Sequence, residues 1–535
     1  MGSLQSLPAC CPSIPADMQT LEYRSMDQSI SIPVPLSPSN PCPIDGLPVE
    51  LLSHIFLILK AMHSLTRHER ASECISTTPY QITLSHVGSR WRTITLNTPD
   101  LWTFINVSYT HRHLERVDAF LTRSASRPLD IIIRCLQSRP NNGSSGPQST
   151  NMTARPGPRI AFGPLLAKLV AHVARWGAFD FSSDVWQIIR AALVVLQGAT
   201  APRLRAFGLR YYDRMFRVLN TNPAWAAPTS GRAAPLNGAL LQLHELSMRG
   251  IPLDPQWCPF AGLRVLTLSN NFSQRRSGIS SDDALRILAQ CSALVSLRIE
   301  DLVPLASHGT AHAVELPALD NLGIAVVTWD SADWIPQYLI APNLRTLTLW
   351  HYNSLTVEIM DALTGAHPTT GASILRPLCA FRMVHFHAEC DLERRHAMYE
   401  ELRNLRVLIY DVDKNDQGLG SLTLLHDLTA STGAVLHLPN LTTLVIAVVD
   451  WDAMCDVVEA RRNAGAPLSK IVSATDARET LEEAQWFAQD LETCLLLDQD
   501  LSNTALEDWL ELDAAVPGTA EFHDACTRLN CRAYN

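Results

Sequence analysis

The side chains able to do chemistry are few and poorly grouped. His385 and His387 alternate as they would on one strand face, with Cys390 and His396 close behind, a set that could bind a transition metal. Zinc sites are usually built from two paired spacings, and no second pair accompanies this one. His308 and His312 have the spacing of one helix face, but Gly309 between them favours a loop. The 13 cysteines are odd in number and scattered, without a Cys-x-x-Cys pair. That is how a reduced intracellular chain uses cysteine, as a small buried apolar residue. No Gly-x-Ser-x-Gly elbow, phosphate-cradling glycine loop or His-Glu-x-x-His pair occurs. No catalytic residue, metal or cofactor is expected.

Bulk properties narrow what could be recognised. A net charge of −10 argues against a general nucleic-acid binder, which needs a dominant basic face to neutralise phosphates. With 47% hydrophobic and 18% charged residues, most of the chain can fold. No apolar run approaches the length that spans a bilayer. The opening residues fit an N-myristoylation pattern at Gly2 and Ser6, with Cys10 and Cys11 beside it, but no polybasic stretch supports an anchor. Membrane attachment is not expected, and the location is read as intracellular, cytoplasmic or nuclear.

The elements that would position a recognition surface fall into a clear order. Residues 1–43, rich in Pro and Ser, read as a disordered leader. Order begins at Ile44. Pro48 suits the first turn of a helix, and Leu51, Leu52, Ile55, Phe56 and Leu59 then share a helical face. A second helical pattern runs through Leu84, Val87, Trp91 and Ile94, after a polar insertion at 61–79, and Trp102 returns as an aromatic anchor. These pieces make a helical module at 44–102. A connecting segment (103–136) and a flexible loop (137–159) follow.

Beyond that loop a strand-sized Leu-x-x-Leu-x-Leu unit recurs nine times. The copies begin at Leu204, Leu243, Leu263, Leu294, Leu319, Leu344, Leu378, Leu405 and Leu441, separated by about 20 to 39 residues. Degenerate copies flank them at Trp176-Phe179-Phe181 and Leu468-Ile471. Each unit reads as one strand of a parallel sheet with its leucines inward and the rest crossing over. The fold class is α/β: a small helical module, then an irregular repeat solenoid over 160–475. A capping helix at 476–500, with a stripe through Leu481, Ala484, Ala488, Leu491 and Leu495, and a tail of poor order at 501–535 complete the expectation.

The N-terminal constellation resembles the F-box. Leu47-Pro48, Leu51-Leu52, Ile55-Phe56, Leu84, Val87 and Trp91-Arg92 match the family's shape in order and type. The later Asn97–Trp102 turn, the Arg123–Ile131 stretch and the Ala-Pro starts at Ala201 and Ala341 are similar to large mushroom-type fungal families of F-box proteins with divergent leucine-rich repeats. The chain departs from the pattern at Gly88, where the family commonly has cysteine, and in the length of the 61–79 insertion. The resemblance implies a non-catalytic, substrate-recognition subunit of a Skp–cullin–F-box ubiquitin ligase. A Skp-type adaptor, and through it cullin and RING subunits, would bind at Leu47, Pro48, Leu51, Leu52, Ile55, Phe56, Val87, Trp91 and Trp102. The alternative is a repeat scaffold without that linkage; an enzyme of unrecognised class is a third reading.

A protein target would meet the repeats on side chains that point away from the leucines. These include Arg210, Arg249, Arg298, Glu300, Trp350, Arg382 and Asp411. Most read singly as a solvated mixed-charge surface. Trp350 stands out, because a large aromatic in such a place marks a contact or fills a groove.

Overall fold

The computed structural model describes residues 43–69, 79–108, 114–136, 162–212, 234–236, 240–257, 260–270, 279–302, 312–326, 334–351, 356–384, 392–411, 419–429, 436–446, 451–473, 493–497, 506–515, 519–529 and 531–534. The chain divides into two compact units, Met1–Leu52 and Ser53–Asn535. In the first, a 3-10 turn at Pro43–Gly46 leads into helix α1 (Val49–Glu69), with Leu52 N–H donating to Pro48 O at 3.2 Å. Pro48 thus accepts the first helical bond without having an N–H to lose, as the sequence suggested. The leader and the 137–159 loop lie outside the described residues.

The second unit begins within α1, at Ser53, and continues with two short helices, α2 (Tyr80–Val87) and α3 (Ser89–Leu96), where the sequence pattern suggested one. Gly88 separates them in an extended conformation (φ −173°, ψ 169°). Glycine in a helix interior costs about 1 kcal/mol against alanine, so the break falls where the helix is cheapest to interrupt. Trp102 then enters the core fully buried, its indole N–H donating to Thr95 O at 2.8 Å. It meets Phe120 edge-on at 5.0 Å, with the Arg123 guanidinium 4.4 Å from its ring.

The sheet follows directly. In chain order its first strands are β1 (Phe104–Ser108), β2 (Leu129–Cys135), β3 (Trp176–Ser183) and β4 (Ala206–Tyr211). Then come β5 (Glu245–Arg249), β6 (Val265–Ser269), β7 (Ser296–Glu300) and, after the two-residue strand β8 (Val314–Glu315), β9 (Asn321–Val326). Two-residue β10 (Leu339–Ile340) pairs with β8 in a separate two-stranded sheet; β11 (Thr346–His351), β12 (Ala380–Val384) and β13 (Val407–Asp411) return to the main sheet. The last are β14 (Thr443–Ile446), β15 (Lys470–Ser473), β16 (Thr493–Leu497) and β17 (Cys531–Tyr534). Among the described residues fifteen strands form one sheet in chain order, parallel except for β17, which runs antiparallel to β16.

Each of the nine Leu-x-x-Leu-x-Leu units forms one turn and one strand, and all 27 of its apolar positions are at most 3% exposed. The local cause repeats as well. At the first leucine of every unit the N–H donates to the carbonyl three residues back, as from Leu204 to Ala201 (3.1 Å) and Leu441 to Leu438 (3.0 Å). Asn343, Asn404 and Asn440, each just before that leucine, donate their amides one repeat back, to Pro317, Arg376 and Arg403 carbonyls at 2.7 to 3.0 Å. In the first copies aromatics replace leucine and stack: Trp176 on Phe179 at 4.4 Å and Phe179 on Phe207 at 5.8 Å.

Three expectations need correction. The connecting segment 103–136 already belongs to the sheet, contributing β1 and β2. The stripe expected to end in a helix through Leu495 instead ends in strand β16, because that segment continues the ladder beside β15; residues 474–492 lie outside the described residues. The expected tail holds two helices, Leu506–Ala514 and Ala520–Arg528, and strand β17. These helices bury Trp509, Leu512, Phe522 and Leu529 against Ala380, Val407, Ile409, Val445 and Val472 of the sheet. Burial of such side chains stabilises by about 1.5–3 kcal/mol each, so this segment is part of the core. Among the described residues, no helix is long and apolar enough to cross a membrane.

Candidate functional site

Two surfaces carry the residues singled out above. The first lies on α1. Leu51, Ile55, Ile58 and Leu59 stand at i, i+4, i+7 and i+8, one stripe of an α-helix. In the first unit Leu51 is 51% exposed and Leu52 is buried. In the second, Ile55, Ile58 and Leu59 are 38%, 48% and 36% exposed, and Val87 at the end of α2 is 60% exposed. Phe56 is fully buried and packs on half-buried Trp91 at 4.9 Å. Lys60 donates to Asp100 O at 2.9 Å and to Thr103 Oγ1 at 2.5 Å, tying α1 to the turn that carries Trp102. Phe56 and Trp102 are therefore core residues, whereas Ile55 and Val87 are exposed. Ile58 was missed by the sequence reading; its place one turn beyond Ile55 was the available signal.

The second surface is one face of the sheet. In a parallel ladder, paired residues point the same way. Arg298 pairs with Gly323, Gly323 with Thr348, Thr348 with Arg382, Arg382 with Ile409, and Ile409 with Val445. A second row on this face carries Arg210, Arg249, Ser269, Glu300, Ala325 and Trp350. On its early strands the face is an ionic network. Arg210 meets Asp180 at 2.8 Å, and Glu300 gathers Arg249 (3.3 Å), Arg298 (2.6 Å) and the Ser269 hydroxyl (2.7 Å). Burial opposes ionisation of Glu300, but the two guanidinium groups and these hydrogen bonds outweigh it and hold its carboxyl below the usual range.

The Trp350 ring occupies the space that Gly323 leaves open. It is half-buried, with the Arg298 guanidinium 4.1 Å from its centre, and it lies over Gly323, where a Cβ would come within 2.9 Å of Trp350 Cζ3. Gly323→Ala should therefore push the ring off Arg298 and destabilise the fold by about 1 kcal/mol, the scale of a partly exposed cation–π pair plus strain. In a Trp350→Ala background the same change should become neutral or stabilising, because only the loss of glycine's unfolded-state entropy remains. Urea midpoints of the two single variants and the double variant check this, and an equal cost in both backgrounds would sink it.

Arg382 does not face solvent as expected. It is 3% exposed, on a strand that the C-terminal helix Leu506–Ala514 covers. Asp411, on the neighbouring strand, is half-buried. Along these late strands the face turns apolar through Val407, Ile409, Val445 and Val472, and the helices sit on it. Asp513 anchors them. Its side chain, 1% exposed, pairs with Arg406 and accepts from Thr442 Oγ1 (2.5 Å) and Thr443 Oγ1 (2.8 Å), while buried Lys470 donates to Asp513 O at 2.7 Å.

Of the residues that suggested a metal, His385, His387 and Cys390 lie outside the described residues, as does His308. Among the described residues no group of three or more His, Cys, Asp or Glu could hold an ion. His396 instead lies against His437 with the two rings tilted and their centres 4.4 Å apart, and Tyr399 is 5.2 Å from the latter ring. Asp427 faces this group through a two-point contact with Arg395 and a 3.1 Å bond from Tyr399 Oη, and Glu400 acts on it from the His396 helix. Burial and then His396 lower the pKa of His437 below 6.5, with Asp427 and Glu400 opposing. The unfolded chain thus binds this proton first, so His437 contributes full stability above pH 6.5 and loses it as pH falls through its folded pKa. His437→Phe should flatten the decline of the urea midpoint below pH 6.5. A slope identical to wild type would show that His437 is not a source of acid sensitivity.

In comparisons with known proteins, no family model and no curated protein matches this chain.

Proposed function

We propose that this chain is the substrate-recognition subunit of a Skp–cullin–F-box ubiquitin ligase, with an F-box-like helical module and a leucine-rich-repeat array. The observation that carries the reading is the exposed apolar stripe of Ile55, Ile58 and Leu59 on α1, with Val87 of α2 exposed as well, while Phe56, Leu84, Ile94 and Trp102 are buried. A folded module has no internal use for four large exposed apolar side chains, whereas a partner helix bundle would bury them. The sheet face is the corresponding place for a target. Ubiquitin transfer would then gain from effective concentration, with the conjugating enzyme brought near the target's lysines and no catalytic group supplied by this chain.

Co-expression with a Skp-type adaptor and cullin tests the assignment. The full chain should purify as a stoichiometric complex with both. Recovery of the folded chain free of adaptor, under conditions where a control F-box protein retains it, would favour the plain repeat scaffold.

A further inference from the structure

The C-terminal helices demonstrate in cis what this sheet face accepts. The helix Leu506–Ala514 holds four acidic residues and no basic one. It lays Trp509 and Leu512 on the apolar rows and places the Asp513 carboxylate against Arg406 and two threonine hydroxyls. The late strands therefore bind an acidic amphipathic helix through one carboxylate latch and an aromatic anchor.

The early strands carry the same chemistry without such an occupant among the described residues. Among the described strand residues toward the carboxyl ends of β2 to β11, this face bears Arg134, Arg210, Arg249 and Arg298 against Asp180 and Glu300. The acids Asp130 and Glu245 sit at the starts of their strands, so charge is polarised along the sheet with arginine at one end. This concentration of positive charge occurs in a chain of net charge −10. Arg210, Arg249 and Arg298 keep 25%, 31% and 45% of their side chains exposed, so solvent still reaches them. Glu300 is shared by two guanidinium groups, which leaves donors on both for a further carboxylate. Trp350 and Tyr212, each beside an arginine (4.1 and 4.9 Å), supply the aromatic part.

We propose that this arginine-bearing half of the face, from Arg210 to Trp350, docks an acidic segment of the target protein, with carboxylates on Arg210, Arg249 and Arg298 and an apolar side chain beside Trp350. The proposal rests on reading the chain as a recognition subunit. It names the partner's chemistry and limits the docking surface to the strands that the C-terminal helices leave uncovered. Five strand-to-strand steps separate Arg210 from Trp350, about 24 Å. That distance corresponds to about 16 residues of helix.

The test uses the purified full-length chain and a fluorescein-labelled Glu/Ala peptide of about 16 residues, half of it glutamate. A Lys/Ala peptide of equal length and a single-stranded oligonucleotide serve as the other probes. The Glu/Ala peptide should bind, more weakly as salt rises, and the Lys/Ala peptide should not. Arg249→Gln with Arg298→Gln should weaken binding at least about tenfold. Glu300→Gln removes the internal competitor for both arginines and should tighten binding several-fold, a gain that misfolding cannot imitate. Unchanged binding in the double arginine variant, weaker or unchanged binding in Glu300→Gln, or a preference for the oligonucleotide would each overturn the proposal. Adaptor co-purification, measured on the same preparations, separates the two readings. Loss of the acidic-peptide site with adaptor retained sinks only this surface, and peptide binding by a chain that never takes up adaptor upholds the surface while removing the ligase assignment.

Discussion

Replacing Ile55 and Leu59 together by alanine is expected to abolish co-purification with a Skp-type adaptor while leaving the chain folded. Both side chains are more than a third exposed, so their truncation should change stability by no more than about 0.5 kcal/mol each. At a desolvated interface the same side chains act as anchors, each on the order of 2 kcal/mol. Together that is about 4 kcal/mol, or roughly a thousandfold in affinity. Phe56→Ala would be an uninformative substitute, because Phe56 is core and its loss would unfold the module before reporting on a partner. Titration of the purified variant with adaptor, beside a thermal melt, separates the two effects. Wild-type affinity in the double variant would remove the F-box reading, and a large drop in melting temperature would show that Ile55 and Leu59 hold the fold instead.

Trp509→Ala should cost about 3–5 kcal/mol, the range for deleting a fully buried aromatic. The helix that carries it is only nine residues long and gains its stability from packing rather than from propensity. Without the indole, Leu506, Leu512 and Asp513 must hold the helix against the sheet, and the Asp513 contacts to Arg406, Thr442 and Thr443 are polar bonds that water can replace. The uncovered strands would then present Val407, Ile409, Val445 and Val472 as a contiguous apolar strip. The expected result is a lower urea midpoint, early proteolysis within 498–535, and concentration-dependent aggregation. A variant with the wild-type midpoint and protease pattern would show that the C-terminal helices are dispensable to the array.

The nine repeat units were legible because their signal is local. Leu344, Leu347 and Leu349 mark a turn and a strand at a glance, and one hydrogen bond from the first leucine to the carbonyl three residues back completes the unit. Alternation within a strand also told which side chains oppose the leucines, so Arg249, Arg298, Glu300 and Trp350 were found from their positions alone. The stripe on α1 was half legible. Helical spacing placed Ile55 and Phe56 on an apolar side, but both are large and apolar, and only the packing of Trp91 on Phe56 decided which one is core and which faces solvent.

By itself, then, the sequence determined the inward leucines, the parallel order of strands and the outward rows, since each depends on neighbours a few residues or one repeat away. The tertiary structure alone decided which parts of those rows remain accessible. Arg382 reads like Arg298 in sequence, yet a helix from more than 100 residues later lies on its strand. Trp350 reads as a free aromatic until register places Gly323 beneath it and Arg298 beside it. Leu506, Trp509 and Leu512 have helical spacing, but nothing local says that their partners are Val407 and Val445. Side-chain periodicity records that a face must be buried; which surface buries it is set by long-range packing free energy, for which no local pattern carries the address.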